Sequence, residues 1–296
     1  MAGSTRTGVD VVNPAAVTSP DSYHPEFSDE GDIVLLASDS VRFRIPTTVL
    51  RRASGFFRSM FDSAQPDHST PSGEPSVISV DEDARTMAII LKVASGLPVE
   101  FLKAFTEITD IDRIALAADK YDIPAVLRVL ELAMYAPSAK AHPLHRYAMA
   151  SRYGWHDVCV EAAVDTLDMD LNFQNVPSMD MEHLARLLRL RYRRVHAMAA
   201  ALEDQEGQFA VGNKGACLYC GKALARPTAW ENMKRYLLCE ITFMPSGSTI
   251  RLDDPCCQAV KDATCTECPG GAPLFDWVLT ERLVDNMIAS LPTDLD

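Results

Sequence analysis

Residues 41–61 read VRFRIPTTVLRRASGFFRSMF. Within them Val41, Phe43 and Ile45 alternate with Arg42 and Arg44, the period of a strand with one buried face. Pro46 has no N–H to give a ladder and ends that strand, and Thr47 or Thr48 is placed to cap the helix that follows. That helix carries Val49 and Leu50, and the next is expected to bury Phe56, Phe57, Met60 and Phe61. The stretch supplies a core and a surface, and it sets out no nucleophile, base or metal ligand.

Upstream, DIVLLA (residues 32–37) is a short apolar run bounded by Gly31 and the polar SDS, so the two strands form a hairpin. Downstream, SAQPDHSTPSGEPS (63–76) has the composition of an exposed loop, and a third strand, SVISV, follows it. DARTMAIILKVASG (83–96) is helical, with Met87, Ile90, Leu91 and Ala94 on one stripe and Gly96 as its stop. Thr109 or Asp110 opens IDRIALAADKY, whose Ile111, Ile114, Ala115 and Ala118 recur at helical spacing, and Pro124 occupies the first turn of a further helix. Strands followed by helices make residues 28–136 an α+β unit. The Ser, Thr, Pro and Gly of residues 1–27 predict a disordered tail before it, because such a composition buries too little apolar surface to offset the entropy of ordering.

From Pro137 the pattern is purely helical. Two short helices broken at Gly154 precede MEHLARLLRLRYRRVHAMAAALED, one long helix with Leu184, Leu187, Leu188, Val195, Met198, Ala199 and Leu202 on its apolar side. Its arginines, Arg186, Arg189, Arg191, Arg193 and Arg194, read as the solvated side, pairing with the chain's own Asp and Glu. GQFAVGNKG (207–215) is a joint, so residues 137–206 form a helical extension and 207–296 a small C-terminal helical domain. In that domain Thr228 and Glu231 fit a capping box ahead of a stripe of Trp230, Met233, Leu237, Leu238 and Ile241. A last amphipathic helix from Asp276 carries Leu283, Val284, Met287, Ile288 and Leu291.

The formal net charge of −13 over 296 residues repels phosphate backbones and anionic lipid heads, which argues against nucleic acid and membrane surfaces as partners. The first residues hold no apolar core of a signal peptide, and no run of about 18 apolar residues occurs, so an intracellular chain, cytoplasmic or nuclear, is expected.

The strand DIVLLA, the hairpin arm VRFRIP, TTVLRRAS, the aromatic GFFRSMF, the strand SVISV and the helix pair at IALAADKYDIPAV together resemble the BTB/POZ domain over residues 28–136. Asp32, Phe43, Leu50, Ser54, Phe56 and Phe57 carry the resemblance, while Pro46 stands where many members have a histidine. YAMASRYGW and HLARLLRLRYRRV resemble the helical extension of fungal BTB proteins of basidiomycete type. The resemblance implies protein–protein interaction and homo- or hetero-oligomerisation without catalysis. The alternative it offers is a substrate adaptor for a cullin-type ubiquitin ligase, since such members pair the domain with a helical extension.

Cys217-Leu-Tyr-Cys220 and Cys265-Thr-Glu-Cys268 are two Cys-x-x-Cys pairs. A two-residue gap lets both sulfurs of a pair turn toward one point, and two pairs can enclose one Zn²⁺ through four thiolates. The 44 residues between the pairs exceed a compact ribbon's roughly 15–20, but a helix within them can bring the second pair back beside the first. Glycines after each pair, in CGK and CPGG, suit tight knuckle turns. The other reading makes all four reduced thiols in loops, with Cys239 a core residue of its helix. A thioredoxin-type site is disfavoured because neither pair stands at a strand-to-helix junction.

Searches for catalytic motifs return none. There is no Gly-x-Ser-x-Gly and no His-Glu-x-x-His, and GQFAVGNKG has Asn213 where a phosphate loop needs lysine. His142, His145, His156, His183 and His196 have no carboxylate three or four residues further on, and Asp165, Asp168 and Asp170 read as a solvated cluster at a helix end.

Overall fold

The computed structural model describes residues 22–63, 75–99, 108–171, 177–203, 217, 219, 220 and 228–295. Residues 1–21 of the expected tail, 64–74 of the expected loop and the joint at 207–215 lie outside them. The chain divides after Leu130 into two compact units.

In the first unit β1 (Ile33–Leu36) is the middle strand of three. It pairs antiparallel with β2 (Arg42–Ile45), Leu35 opposite Phe43, and parallel with β3 (Ser76–Ser79), Leu35 opposite Ile78. Phe43 and Ile45 point into the core while Arg42 and Arg44 do not, as their alternation predicts. Gly31 precedes β1 at φ 141°, and a Cβ there would come within 2.4 Å of the Ile45 backbone, so the chain can enter the sheet this closely only as glycine.

Residues 22–27, assigned above to the tail, pack against the sheet. His24 N–H donates to Arg42 C=O and Arg42 N–H to Ser22 C=O, so residues 22–24 run along the outer edge of β2. A 3-10 turn at Pro25–Phe27 then buries Phe27 beside Phe43, with ring centroids 5.8 Å apart. Backbone bonds to β2, the Phe27 contact and an ion pair between Glu26 and Lys92 hold a segment whose average composition argued for disorder.

Helix α1 (Thr47–Ala53) starts after Pro46, but neither threonine caps it. The cap is Asp32, fifteen residues upstream, which accepts from Thr47 N at 2.6 Å and Thr47 Oγ1 at 2.7 Å. Helix α2 (Gly55–Ser63) buries Phe57 to 1% exposure, whereas Phe56, expected in the core, is 44% exposed, and Met60 and Phe61 are half-buried. Phe57 stacks on Tyr121 at 5.3 Å. Between α1 and α2, buried Ser54 donates through Oγ to Tyr121 C=O at 2.5 Å and accepts from Phe57 N–H at 3.0 Å, while Gly55 N–H donates to Asp122 C=O at 3.0 Å.

Helix α3 (Ala84–Ser95), capped by Asp83, buries Met87, Ile90 and Leu91 as predicted and Ile89 as well, with Ala94 only half-buried. Helix α4 (Ile108–Lys120) begins ahead of the expected Thr109 or Asp110 and buries Ile111, Ile114, Ala115 and Ala118. At its end Lys120 Nζ meets Asp81 at 2.8 Å and Glu82 at 2.9 Å, and Tyr121 Oη donates to Glu82. Burial and that bond to Glu82 push the Tyr121 phenol up to about 12, so it stays a donor throughout the neutral range. Helix α5 (Pro124–Ala133) carries the boundary between the units.

The second unit is helical: α6 (Pro137–Lys140), α7 (Pro143–Tyr153), α8 (His156–Asp165), α9 (Met181–Glu203), α10 (Thr228–Phe243), α11 (Pro255–Lys261) and α12 (Trp277–Ser290). Arg146 on α7 is fully buried and bridges Glu161 and Asp165 of α8, each at 2.8 Å. On α9 the apolar stripe is rotated from the expected one: Leu190 is buried and Leu188 is exposed. The arginines are not simply its wet side. Arg194 is buried, its guanidinium donating to the C=O groups of Pro245 (2.6 Å), Pro292 (2.8 Å) and Leu291 (3.2 Å). Arg191 donates to Thr166 C=O at 2.8 Å and Met169 C=O at 3.0 Å. Among the described residues, Arg186 with Glu182 and Arg193 with Asp294 follow the expected pairing with acids. Met198 and Leu202 of α9 enter one core with Trp230, Leu237, Val260, Phe275, Val284 and Leu291, so the described parts of 137–206 and 207–296 are packed together.

Two measurements check the first unit. Phe57→Ala is expected to lower its unfolding free energy by about 3–5 kcal/mol in denaturant titration, and Phe56→Ala by about 1 kcal/mol, the scale of an aromatic edge contact. Burial raises the Asp32 carboxyl, but the two bonds from Thr47 outweigh it and leave it below its ordinary value. A depressed folded-state value means the contribution is present above the unfolded value and is lost as pH falls through the folded one. The loss of stability in Asp32→Ala, on the scale of a lost helix cap at about 0.5–2 kcal/mol, is therefore expected at neutral pH and should vanish in acid melts.

Candidate functional site

The four cysteines of the two Cys-x-x-Cys pairs converge, with all four sulfurs lying within 4.8 Å of one another. Cys217 Sγ is 3.6 Å from Cys268 Sγ, and Cys220 Sγ is 3.9 Å from Cys265 Sγ. Thiolates at 2.3 Å from a tetrahedral centre stand about 3.8 Å apart, and the two measured separations bracket that value. All four are free thiols. The set could hold a metal ion.

The second pair sits on a small hairpin that sequence periodicity did not reveal. Cys265 N–H donates to Ala272 C=O at 2.7 Å, Leu274 N–H to Ala263 C=O at 2.9 Å, and Thr264 bridges Pro273. Its tip closes through Gly271 N–H on Cys268 C=O at 3.1 Å, with Gly270 and Gly271 at φ 90° and 68°, where side chains other than glycine's are strained. These are the glycines that CPGG supplies. Gly221, in CGK, lies outside the described residues.

The long interval is closed by packing. Trp230, at the start of α10 and ten residues beyond Cys220, stacks on Phe275 just past the hairpin, with centroids 5.6 Å apart. Helix α10 packs on α11, and Val260 and Cys257 of α11 lie in the core shared with α10. Helix α10 thus carries the chain away and α11 brings it back to the hairpin.

The local electrostatics suit a thiolate. Backbone N–H groups of Cys220 and Tyr219 donate toward Cys217 and draw its thiol down to about 6. Neighbouring sulfurs, Cys220 first, push Cys268 the other way, since a second charge beside the first is opposed unless a cation is shared. The remaining cysteines behave differently. Burial pushes Cys257 up to about 11 and raises Cys159, as for inert core thiols. Cys239, expected in the core, is exposed on α10.

A second feature lies on the first unit. Phe56 meets Phe57 and Tyr121 edge-on, at 5.3 and 5.5 Å, and opens into a shallow depression with Gly55, Arg58, Ser59, Met60, Ser63 and Asp122. Ser54, Phe56, Phe57 and Tyr121 are thus arranged around one junction, while Phe43 is buried in the sheet and Asp32 caps α1. The family model of the BTB/POZ domain matches residues 25–137. Those residues are a BTB/POZ domain. The BTB/POZ match begins at Pro25, where the ordered turn carrying Phe27 begins, and such a domain is a protein-interaction module. No curated protein is similar enough to match the chain. Among the described residues no helix is long and apolar enough to cross a membrane. The acidic cluster expected to be solvated is partly engaged: Asp165 pairs with Arg146, and the hydroxyls of Ser246 and Ser248 hold the Asp168 carboxyl below its ordinary value.

Proposed function

We propose that the chain is a non-catalytic interaction scaffold, a BTB/POZ protein of the fungal branch that its helices after residue 137 resemble. Its BTB/POZ domain binds other proteins or a second copy of itself, and its C-terminal region is clasped by one structural Zn²⁺ held by Cys217, Cys220, Cys265 and Cys268. The observation that carries the interaction reading is Phe56. A side chain placed by the motif at the heart of the domain is left 44% exposed beside Met60 in a depression rimmed by Arg58, Ser59, Ser63 and Asp122, an apolar centre with a polar margin that suits a protein partner. The zinc reading rests on the sulfur separations and on the completeness of the shell. Four thiolates fill a tetrahedral centre and leave no position for water or substrate, the mark of a structural rather than catalytic zinc.

Light scattering on the full chain, with an affinity capture in parallel, tests the first reading. Phe56→Arg is expected to reduce self-association or partner capture at least tenfold with the melting temperature retained. Unchanged association would remove Phe56 from the interface, and a stoichiometric complex with a purified cullin scaffold would favour the adaptor role instead.

Metal analysis tests the second. About one zinc per chain is expected, and less than about 0.2 equivalents would remove the site. Cys265→Ser should lose the metal and lower the melting temperature, as should a strong chelator, whereas Cys239→Ser should change neither.

A further inference from the structure

The four sulfurs differ in access in a way that the metal reading does not use. Cys220 is exposed and Cys268 half-buried, while Cys265 and Cys217 are 1% and 4% exposed. Within the cluster, two contacts couple an accessible sulfur of one loop to a buried sulfur of the other: Cys220 with Cys265 at 3.9 Å, Cys268 with Cys217 at 3.6 Å. An accessible thiolate beside a buried one is the arrangement of an attacked and a resolving cysteine.

We infer that the cysteine cluster is a hydroperoxide-sensitive modification site, which on oxidation exchanges its metal for two disulfides that cross between the loops, Cys220–Cys265 and Cys217–Cys268. This inference rests on the four cysteines forming the single site proposed above.

The chemistry balances. The Cys220 thiolate attacks the O–O bond of a hydroperoxide, keeping one oxygen as a sulfenic acid and expelling the other as hydroxide or alkoxide. The Cys265 thiolate then attacks the Cys220 sulfur, the S–S bond forms and hydroxide leaves. Cys268 and Cys217 repeat the sequence with a second hydroperoxide. Each disulfide passes two electrons from sulfur to an O–O bond, the expelled oxyanions take protons from solvent, and the metal leaves as an aquated dication. Cross-loop bonds keep the hairpin tied to the first pair, so the oxidised chain retains the contact between Trp230 and Phe275. Bonds within each Cys-x-x-Cys would add no covalent tie between the two loops.

Trypsin makes the two outcomes separable, because Cys217 and Cys220 share the peptide 215–222 and Cys265 and Cys268 share 262–282. Zinc content is measured first on the full chain, then hydrogen peroxide is added while zinc release is followed with a colorimetric chelator, and non-reduced digests are analysed by mass spectrometry. The expected result is release of about one zinc per chain together with a species joining 215–222 to 262–282. The Cys220→Ser, Cys265→Ser double variant should still form the joined species through Cys217 and Cys268. Metal-loaded protein whose two peptides are each internally oxidised and unjoined, or whose zinc is retained while Cys239 oxidises, would overturn the inference and leave the zinc reading standing. Protein without zinc refutes the zinc reading, and the same peptide map still decides whether the bonds cross between the loops.

Discussion

The first unit depends on the buried hydroxyl of Ser54. It sits at the break between α1 and α2, where two helix ends leave backbone groups without partners, and it serves both sides at once, donating to Tyr121 C=O and accepting from Phe57 N–H. Gly55 N–H closes the same junction on Asp122. Through these bonds α2 is set against the end of α4, which orients Phe57 onto the Tyr121 ring and turns Phe56 outward. The Tyr121 hydroxyl and Lys120 carry the connection on to Glu82, ahead of α3. A position 67 residues distant in sequence thereby decides which of two adjacent phenylalanines builds the core and which is left to a partner.

The second unit meets the same problem, joining segments far apart in sequence, with different chemistry. Arg194 collects carbonyls that lie 51 to 98 residues away, from the turn after α10 and from the chain beyond α12, satisfying groups that would otherwise be buried without donors. At the other end of α10 Trp230 stacks on Phe275, and this apolar packing brings the four sulfurs within 4.8 Å of one another.

Much of this was legible in the amino-acid order, for physical reasons. Alternation exposed β2, one of whose faces is buried, and a continuous apolar run exposed β1, the middle strand buried on both. The Cys-x-x-Cys spacing located all four sulfurs, because short loops constrain their own geometry. What was hidden depended on distant partners. Periodicity cannot choose between Phe56 and Phe57, since adjacent residues both fall near the edge of a helical stripe. The cap of α1 was sought beside it and is supplied by Asp32 across the hairpin. Arg194 stood within a charged run whose average reading is solvent, and only its acceptors reveal it as buried. The hairpin around Cys265 lacks apolar alternation altogether and is held by two backbone bonds and two glycines. Helix α11 announced itself through Asp254 and Pro255, a cap followed by proline, in a stretch too short for periodicity to register.

Residues 22–24 lie along β2 and Phe27 closes over Phe43, so the sheet's outer margin is finished by a few residues ahead of its first strand. A polypeptide begun at Ser28 would bare that margin, leaving a row of unmatched amide and carbonyl groups next to an uncovered aromatic ring. Such a border invites any extended chain to add itself, and preparations of the shortened domain would then join through a contact that the longer chain keeps sealed.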